Sequence, residues 1–343
     1  MTGAPHSPPA CRGRTTRSAG ESRLVRCLER HAIPAAAGRR ARITRVWRSP
    51  ARSATSYGAE VVYARLADGA EMRFFLKDYG SSRRPRPAPA RRRERERGVY
   101  RHLVGGGEIG TARYCGAVWD DDAPVHWLLL EFVAGAQLRH MELTYWVEAA
   151  RWLGRMQGRF AGVPTPSALR PVLERHDAEF FGDRAEGARR SVSHRTAAMA
   201  RRLEAILIPY ERSIDLMAGE PPGFVHGHFE AANILVSASA DRVRICPVDW
   251  ELAAIGSRFF DLAALCDGFD PPELDRIWDA YGEGAEGAGL TAPPRDRLRR
   301  LVDCFRLFRV VGWLASAARK RYPQSGVERL LERGEGLVPL VGS

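Results

Sequence analysis

Two residues of this 343-residue chain, Asn233 and Asp249, have types and a spacing that could hold a metal ion. They lie in HGHFEAANILVSASADRVRICPVDWE, which runs from His226 to Glu251. That stretch reads as a polar loop, an apolar strand over 234–236, a turn at Asp241, a second apolar strand over 243–248, then Asp249-Trp250-Glu251. Two strands closing as a hairpin bring Asn233 and Asp249 to the same end. An amide oxygen and a carboxylate placed there are hard oxygen donors, suited to a magnesium ion that also touches phosphates.

A second signal is compositional. The chain carries 53 lysines and arginines, and only Lys77 and Lys320 are lysine. Lys77 stands in the apolar strand-like run MRFFLKDY. An ammonium is a compact point charge that sits against phosphate oxygens where a planar guanidinium does not fit. Lys77 is therefore expected to be present because an amine is required.

The elements that must position these groups fall into two halves. A helix is expected over 21–31, strands over 43–47, 60–66 and 71–78, and a hairpin turn at Asp68-Gly69. A proline-rich loop over 83–90 leads to a helix over 91–104, stopped by Gly105-Gly106-Gly107, and strands follow over 111–119 and 127–132. This amounts to a five-stranded sheet with one helix inserted after its third strand. Beyond Gly135 the periodicity becomes helical, over 143–160, 170–181, 191–211, 261–265, 272–281 and 296–318. The expected organisation is a disordered basic tail over 1–20, a small lobe over 21–133 and a larger helical lobe over 134–343.

Composition narrows the function classes. The net charge of +12 is concentrated in residues 1–52 and 83–101, but no nucleic-acid motif accompanies it, so an arginine-rich solvated face is expected rather than a nucleic-acid partner. The six cysteines form no C-x-x-C pair and are expected to be reduced. No apolar run approaches membrane-spanning length and no signal peptide is evident, which points to a cytoplasmic protein without a membrane partner.

FFLKDY, RERERGVYRHL, LLLEFVAG, HGHFEAANILV and VDWELAAIGSRFFDLAAL occur in that order over about residues 43–320. In these pieces the chain resembles the aminoglycoside phosphotransferase and choline kinase family, a branch of the protein-kinase-like fold. The resemblance implies an α+β, bilobal fold, with a small five-stranded antiparallel lobe and a larger, mainly helical one. It implies a kinase that uses ATP and Mg2+ to phosphorylate a hydroxyl of a small molecule. Lys77 would then reach the α- and β-phosphates, held by a helix carboxylate, for which Glu96 is the candidate and Glu94 the second. The 130–133 connector, with Glu131 and Val133, would pair with adenine through its backbone. Asp249 and Asn233 would hold the magnesium, and His226 would pin its loop by hydrogen bonds. Asp261 is expected to cap its helix rather than brace the loop, and Glu251 either assists the metal or faces solvent. No G-x-G-x-x-G stands where it would lie over the phosphates, so SATSYG, with Ser53, Thr55 and Ser56, would have to cover them.

One residue departs from the family pattern. His228 occupies the register of the loop Asp that receives the acceptor hydroxyl's proton, four residues separating it from Asn233. Three outcomes are open: neutral His228 serves as the base, Glu230 supplies the missing carboxylate, or the site binds nucleotide without transferring phosphate. The first two outcomes give a small-molecule kinase and the third a nucleotide-binding pseudokinase that serves a partner; a kinase acting on Ser or Thr of a natural-product precursor peptide would keep the chemistry and change the acceptor. The acidic residues Asp267, Asp270 and Glu273 suggest a cationic acceptor in the second lobe.

Overall fold

The computed structural model describes residues 19–51, 57–82, 87–123, 125–239 and 242–342. Residues 1–18 of the basic tail, Ser53, Thr55, Ser56, Asp241 and part of the proline-rich loop lie outside these. The chain divides into two compact units, one comprising the residues up to Arg84 with Cys115–Glu131, the other Pro85–Tyr114 with Phe132–Ser343. This division differs from the continuous lobes expected over 21–133 and 134–343. The segment that carries the helix near residue 95 belongs with the larger unit, because that helix packs against the turn following Asp249.

The smaller unit opens with helix α1 (Ala19–Cys27), continued by a π-helical turn and α2 (Ile33–Ala37). Its five-stranded antiparallel sheet contains β1 (Ile43–Pro50), β2 (Tyr57–Leu66), β3 (Glu71–Ser82), β4 (Tyr114–Asp120) and β5 (Val125–Glu131), in the order β1-β2-β3-β5-β4. The β2–β3 turn falls at the expected dipeptide: Gly69 takes φ +86°, and Asp68 accepts from the Ala70 N–H. Alternation sorts the faces. Val62, Ala64, Leu66, Phe74 and Leu76 pack with Leu24, Leu28 and Ile33 in one core. Lys77 points to the other face, buried, with its Nζ 5.2 Å from the Tyr57 ring and 5.4 Å from the Tyr79 ring.

The larger unit begins with α3 (Pro89–Val99) and a π-helical turn. After the short strand β6 (Ala136–Gln137) come α4 (Leu143–Phe160), β7 (Glu174–Arg175), α5 (Ala178–Val192), α6 (Ala197–Arg212), α7 (Ile214–Ala218) and β8 (Pro222–Val225). The hairpin is β9 (Ile234–Ser239) and β10 (Arg242–Pro247), followed by β11 (Ala254–Ser257), α8 (Phe259–Leu265), α9 (Pro271–Glu286), α10 (Arg295–Ala315) and α11 (Gln324–Gly342). Helix α10 lies against α5, α8 and α11, while α4 packs on α9.

Three local assignments differ from the sequence reading. The helix expected over 170–181 starts only at Ala178, because the His176 N–H bonds the Ile255 carbonyl and Asp177 caps the helix through the Phe180 N–H. The helix expected over 191–211 starts only at Ala197, capped by the Thr196 hydroxyl accepting from the Met199 N–H, while residues 191 and 192 end α5. Helix α11, which carries Pro339, was not expected. No helix among the described residues is long and apolar enough to cross a membrane.

His176 stacks on Phe180 at 4.2 Å and lies 4.4 Å from the Phe260 ring. Burial drives its pKa from 6.5 down to about 3. The unfolded chain therefore binds the extra proton, and stability falls as pH drops from 6.5 toward 3. His176→Phe is expected to remove about 1.4 kcal/mol of acid sensitivity per pH unit below the unfolded His pKa. Urea unfolding at neutral and mildly acidic pH measures it, and an unchanged pH slope would refute this account.

Candidate active site

The loop after β8 is fixed before any ligand is considered. Asp261, in the first turn of α8, accepts from the His226 N–H at 2.6 Å and from the Gly227 N–H at 3.0 Å. Its role is to brace the loop rather than to cap the helix, whose N-cap position is Arg258. Burial pushes its carboxyl up to about 7, against the pull of the two N–H donors toward the ionised form. Gly227 takes φ +75°, and a Cβ there would come within 2.0 Å of the Leu252 carbonyl oxygen, so no side chain fits.

His226 is fully buried. Its Nε2–H donates to the Val248 carbonyl at 3.1 Å, while Nδ1 accepts from the His228 N–H at 3.2 Å. Those partners need the neutral tautomer, and burial holds its pKa down to about 3. His226 thus ties the loop to the end of β10.

Hairpin register does the rest. Ile234 pairs with Pro247, and the Val248 N–H bonds the Asn233 carbonyl at 2.8 Å, which places Asn233 and Asp249 at one end. The Asn233 amide donates to the His228 carbonyl at 3.1 Å, so its oxygen is the acceptor left for a ligand. Asp249 adopts the left-handed conformation, φ +69° and ψ +57°, which costs a non-glycine residue energy and re-aims its carboxylate.

Ligand atoms of Asp249, Glu96 and Glu251 lie within 4.8 Å of one another. Glu96, on α3, and Glu251 are buried, whereas Asp249 is partly exposed. Glu251 does not face solvent; it pairs with Arg92 at 3.0 Å. Arg95 holds α3 in place with three bonds, to the Val172 carbonyl at 2.7 Å, the Glu251 carbonyl at 3.1 Å and the Glu174 carboxylate at 3.0 Å. Glu94 makes an ordinary i,i+3 pair with Arg97. Asp249 and the Asn233 side-chain oxygen, placed at one end of the hairpin, are both hard oxygen donors of the kind a magnesium ion takes.

His228 lies between two carboxylates. Its Nε2 is 3.5 Å from Glu230 and its Nδ1 4.0 Å from Asp249. Nδ1 makes no hydrogen bond among the described residues. Burial lowers the imidazole pKa, but Glu230, Asp249 and Glu251 outweigh it and the net shift is upward. Glu230 also binds Arg309 at 3.1 Å. Burial would raise its pKa, yet His228 and Arg309 bring it down to about 2.

The remaining sequence candidates are placed as follows. Lys77 is on β3 of the smaller unit, and Glu131 ends β5, with Val133 two residues on in the segment that follows. Asp267, Asp270 and Glu273 do not form an open acidic patch. Asp267 is bound by Arg309 and Arg333 and lies 3.9 Å from Arg306, while Asp270 and Glu273 form the capping box of α9. Gln157 is structural, bonding the Arg258 carbonyl and the Tyr281 hydroxyl. Cys27, Cys115, Cys246, Cys266 and Cys304 are buried. Sequence reading missed Arg95 and Arg309. The usable signal for Arg309 was a charge inside the apolar run LFRVVGWL, whereas Arg95 was hidden in an alternating Arg/Glu helix.

Asp261→Ala should leave two buried N–H groups unsatisfied and cost about 3 kcal/mol of stability, with Asp261→Asn costing less because its amide oxygen keeps one of them. Denaturant midpoints decide it; equal midpoints for wild type and Asp261→Ala would show that the brace does not matter.

Comparison with known proteins agrees with this architecture. The structure superposes on a microcompartment-associated aminopropanol kinase with TM-score 0.61 at 14% identity, covering 87% of this chain and 91% of that one. It superposes on a GDP complex of wild-type aminoglycoside 2'-phosphotransferase-IIIa with TM-score 0.59 at 13% identity, covering 90% and 96%. For an ethanolamine kinase from Plasmodium vivax the TM-score is 0.55 at 12% identity, covering 87% and 82%. At such identities the likeness shows the kinase-like fold. A search of curated protein sequences gave no match. The family model of the phosphotransferase enzyme family matches residues 54–299, more than half of the chain, and the chain belongs to that family.

Proposed function

We propose that this protein is a kinase that transfers the γ-phosphate of ATP, with Mg2+, to a hydroxyl of a small molecule. The observation that carries the reading is the placement of His228, with Nδ1 buried beside Asp249, without a hydrogen-bond partner among the described residues, and Nε2 facing Glu230. Nucleotide complexes among structures of this fold, such as the GDP complex above, support a nucleotide as the donor.

In this reading Asp249 and Asn233 hold the magnesium ion, which when bound neutralises charge on the β- and γ-phosphates. Lys77 and Glu96 are read as residues serving the nucleotide phosphates, and Glu131 and Val133 as backbone contacts to the base. Ser53 and Ser56 are assigned to the phosphate-covering segment by sequence alone. His228 Nδ1 positions the acceptor hydroxyl and takes its proton. In phosphoryl transfer that proton leaves late, so orientation counts for more than basicity, and an imidazole can stand where the family pattern has Asp.

Glu230 is a poor base here. Its pKa is held near 2 and its carboxylate is already shared by Arg309 and His228. Its role is to accept the Nε2–H of His228 and so leave Nδ1 as the nitrogen that faces the acceptor.

Calorimetry with Mg-ATP and Mg-GTP, with phosphorus NMR on the same samples, tests the proposal. Wild type is expected to bind ATP and hydrolyse it slowly, and Lys77→Ala and Asp249→Ala are each expected to lose binding. Binding without any hydrolysis or transfer would favour a nucleotide-binding module, and no binding would remove the kinase reading. His228→Ala should lower turnover by roughly 10²- to 10³-fold, the range for one positioned proton acceptor. Glu230→Gln should cost less than His228→Ala; the reverse order would reassign the base to Glu230.

A further inference from the structure

Beyond His228 the side chains become rich in arginine. Arg309 of α10 binds Glu230 at 3.1 Å through Nη2 and Asp267 at 3.3 Å through Nε. Arg333 of α11 binds the same Asp267, and Arg306 lies 3.9 Å from it while its Nη1 pairs with Asp303 at 3.0 Å. The Arg306 Nε is shielded from solvent and makes no hydrogen bond among the described residues. Arg309 and Arg333 both lie over the Trp313 ring, at 5.0 and 5.1 Å from its centre. The indole thereby holds two guanidiniums close together, against their mutual repulsion.

The two ring nitrogens of His228 face opposite partners, so the imidazole separates the Asp249 end of the hairpin from this cluster. An acceptor whose hydroxyl sits at His228 and whose remainder extends past Glu230 meets Arg309 next. A cationic acceptor would find no open carboxylate there. Glu230 is held by His228 and Arg309, and Asp267 by guanidiniums, so a cation would have to displace an arginine. An anion need displace no guanidinium: it can take N–H donors that Glu230, Asp267 and Asp303 leave unused. Each guanidinium carries five N–H donors, and the bonds above use only a few of them.

We infer that Arg306, Arg309 and Arg333, oriented by Trp313, form the subsite for an anionic group on the acceptor, a carboxylate or a phosphate ester carried on the alcohol to be phosphorylated. The inference rests on the phosphotransferase reading of the neighbouring residues and names the acceptor class for it. It replaces the cationic acceptor suggested by Asp267, Asp270 and Glu273 in the sequence.

The test is equilibrium calorimetry on the full chain saturated with Mg-ADP, so that turnover is not needed. The probes are glycerate, glycerol 3-phosphate, ethanolamine and 3-aminopropan-1-ol. One or both anions are expected to bind at least about tenfold more tightly than either amine, and Arg333→Gln to weaken that binding about tenfold, as the loss of one charge-assisted contact implies. Arg306→Gln gives an independent second variant. Glycerate against glycerol 3-phosphate separates a carboxylate site from a phosphate site. Tighter binding of an amine, no binding of either anion, or equal anion affinity in wild type and both variants would overturn the inference. Mg-ADP binding is measured first on the same samples. Its loss would sink the nucleotide reading and this inference with it, whereas its presence with amine preference would sink this inference alone.

Discussion

Two backbone N–H groups, those of His226 and Gly227, end on the single buried carboxylate of Asp261. Each buried donor left without an acceptor costs about 1–3 kcal/mol, so the loop has one conformation that the fold tolerates. The consequence spreads outward. With the loop pinned, the His226 imidazole reaches the Val248 carbonyl and couples the loop to the end of β10. The Asn233 carbonyl then meets the Val248 N–H, and the next residue, Asp249, is forced into its left-handed conformation. Asn233, His228 and Asp249 are therefore positioned by backbone hydrogen bonding before any ligand enters.

Arginine does most of the remaining construction. A planar guanidinium can satisfy several acceptors in fixed directions, and buried Arg95 does so with Val172, Glu174 and Glu251. That single side chain fastens α3 to the turn after Asp249 and carries Glu96 with it. Arg309 acts similarly on the other side of His228, linking Glu230 and Asp267 while lying over Trp313. Against this background the ammonium of Lys77, buried in β3 between two tyrosine rings, stands out as a different instrument: a point charge rather than a fork.

Much of this was legible in the residue order. The alternation in 60–66 and 71–78 marked β2 and β3 because each has one core face, and Asp68-Gly69 marked the turn because glycine takes positive φ there without strain. The hairpin joining Asn233 to Asp249 was legible for the same local reason. Helix α4 was read with its observed ends because its apolar positions recur at helical spacing. The errors over 170–181 and 191–211 arose where a side-chain cap or a pairing to a distant strand overrode periodicity. Asp177, Thr196 and the His176–Ile255 bond are such cases, and local pattern does not contain them.

The sequence by itself determined the family and the two-lobed α+β architecture, because these depend on motifs and on periodicities within a few residues of one another. Tertiary structure decided what each charged group does. Asp261 braces rather than caps, Glu251 is buried on Arg92, Glu230 is held by Arg309, and Asp267 is neutralised by arginines from α10 and α11. The physical reason is that a charge takes its role from its partners and its solvent exposure, and those partners lie up to 159 residues away in the chain.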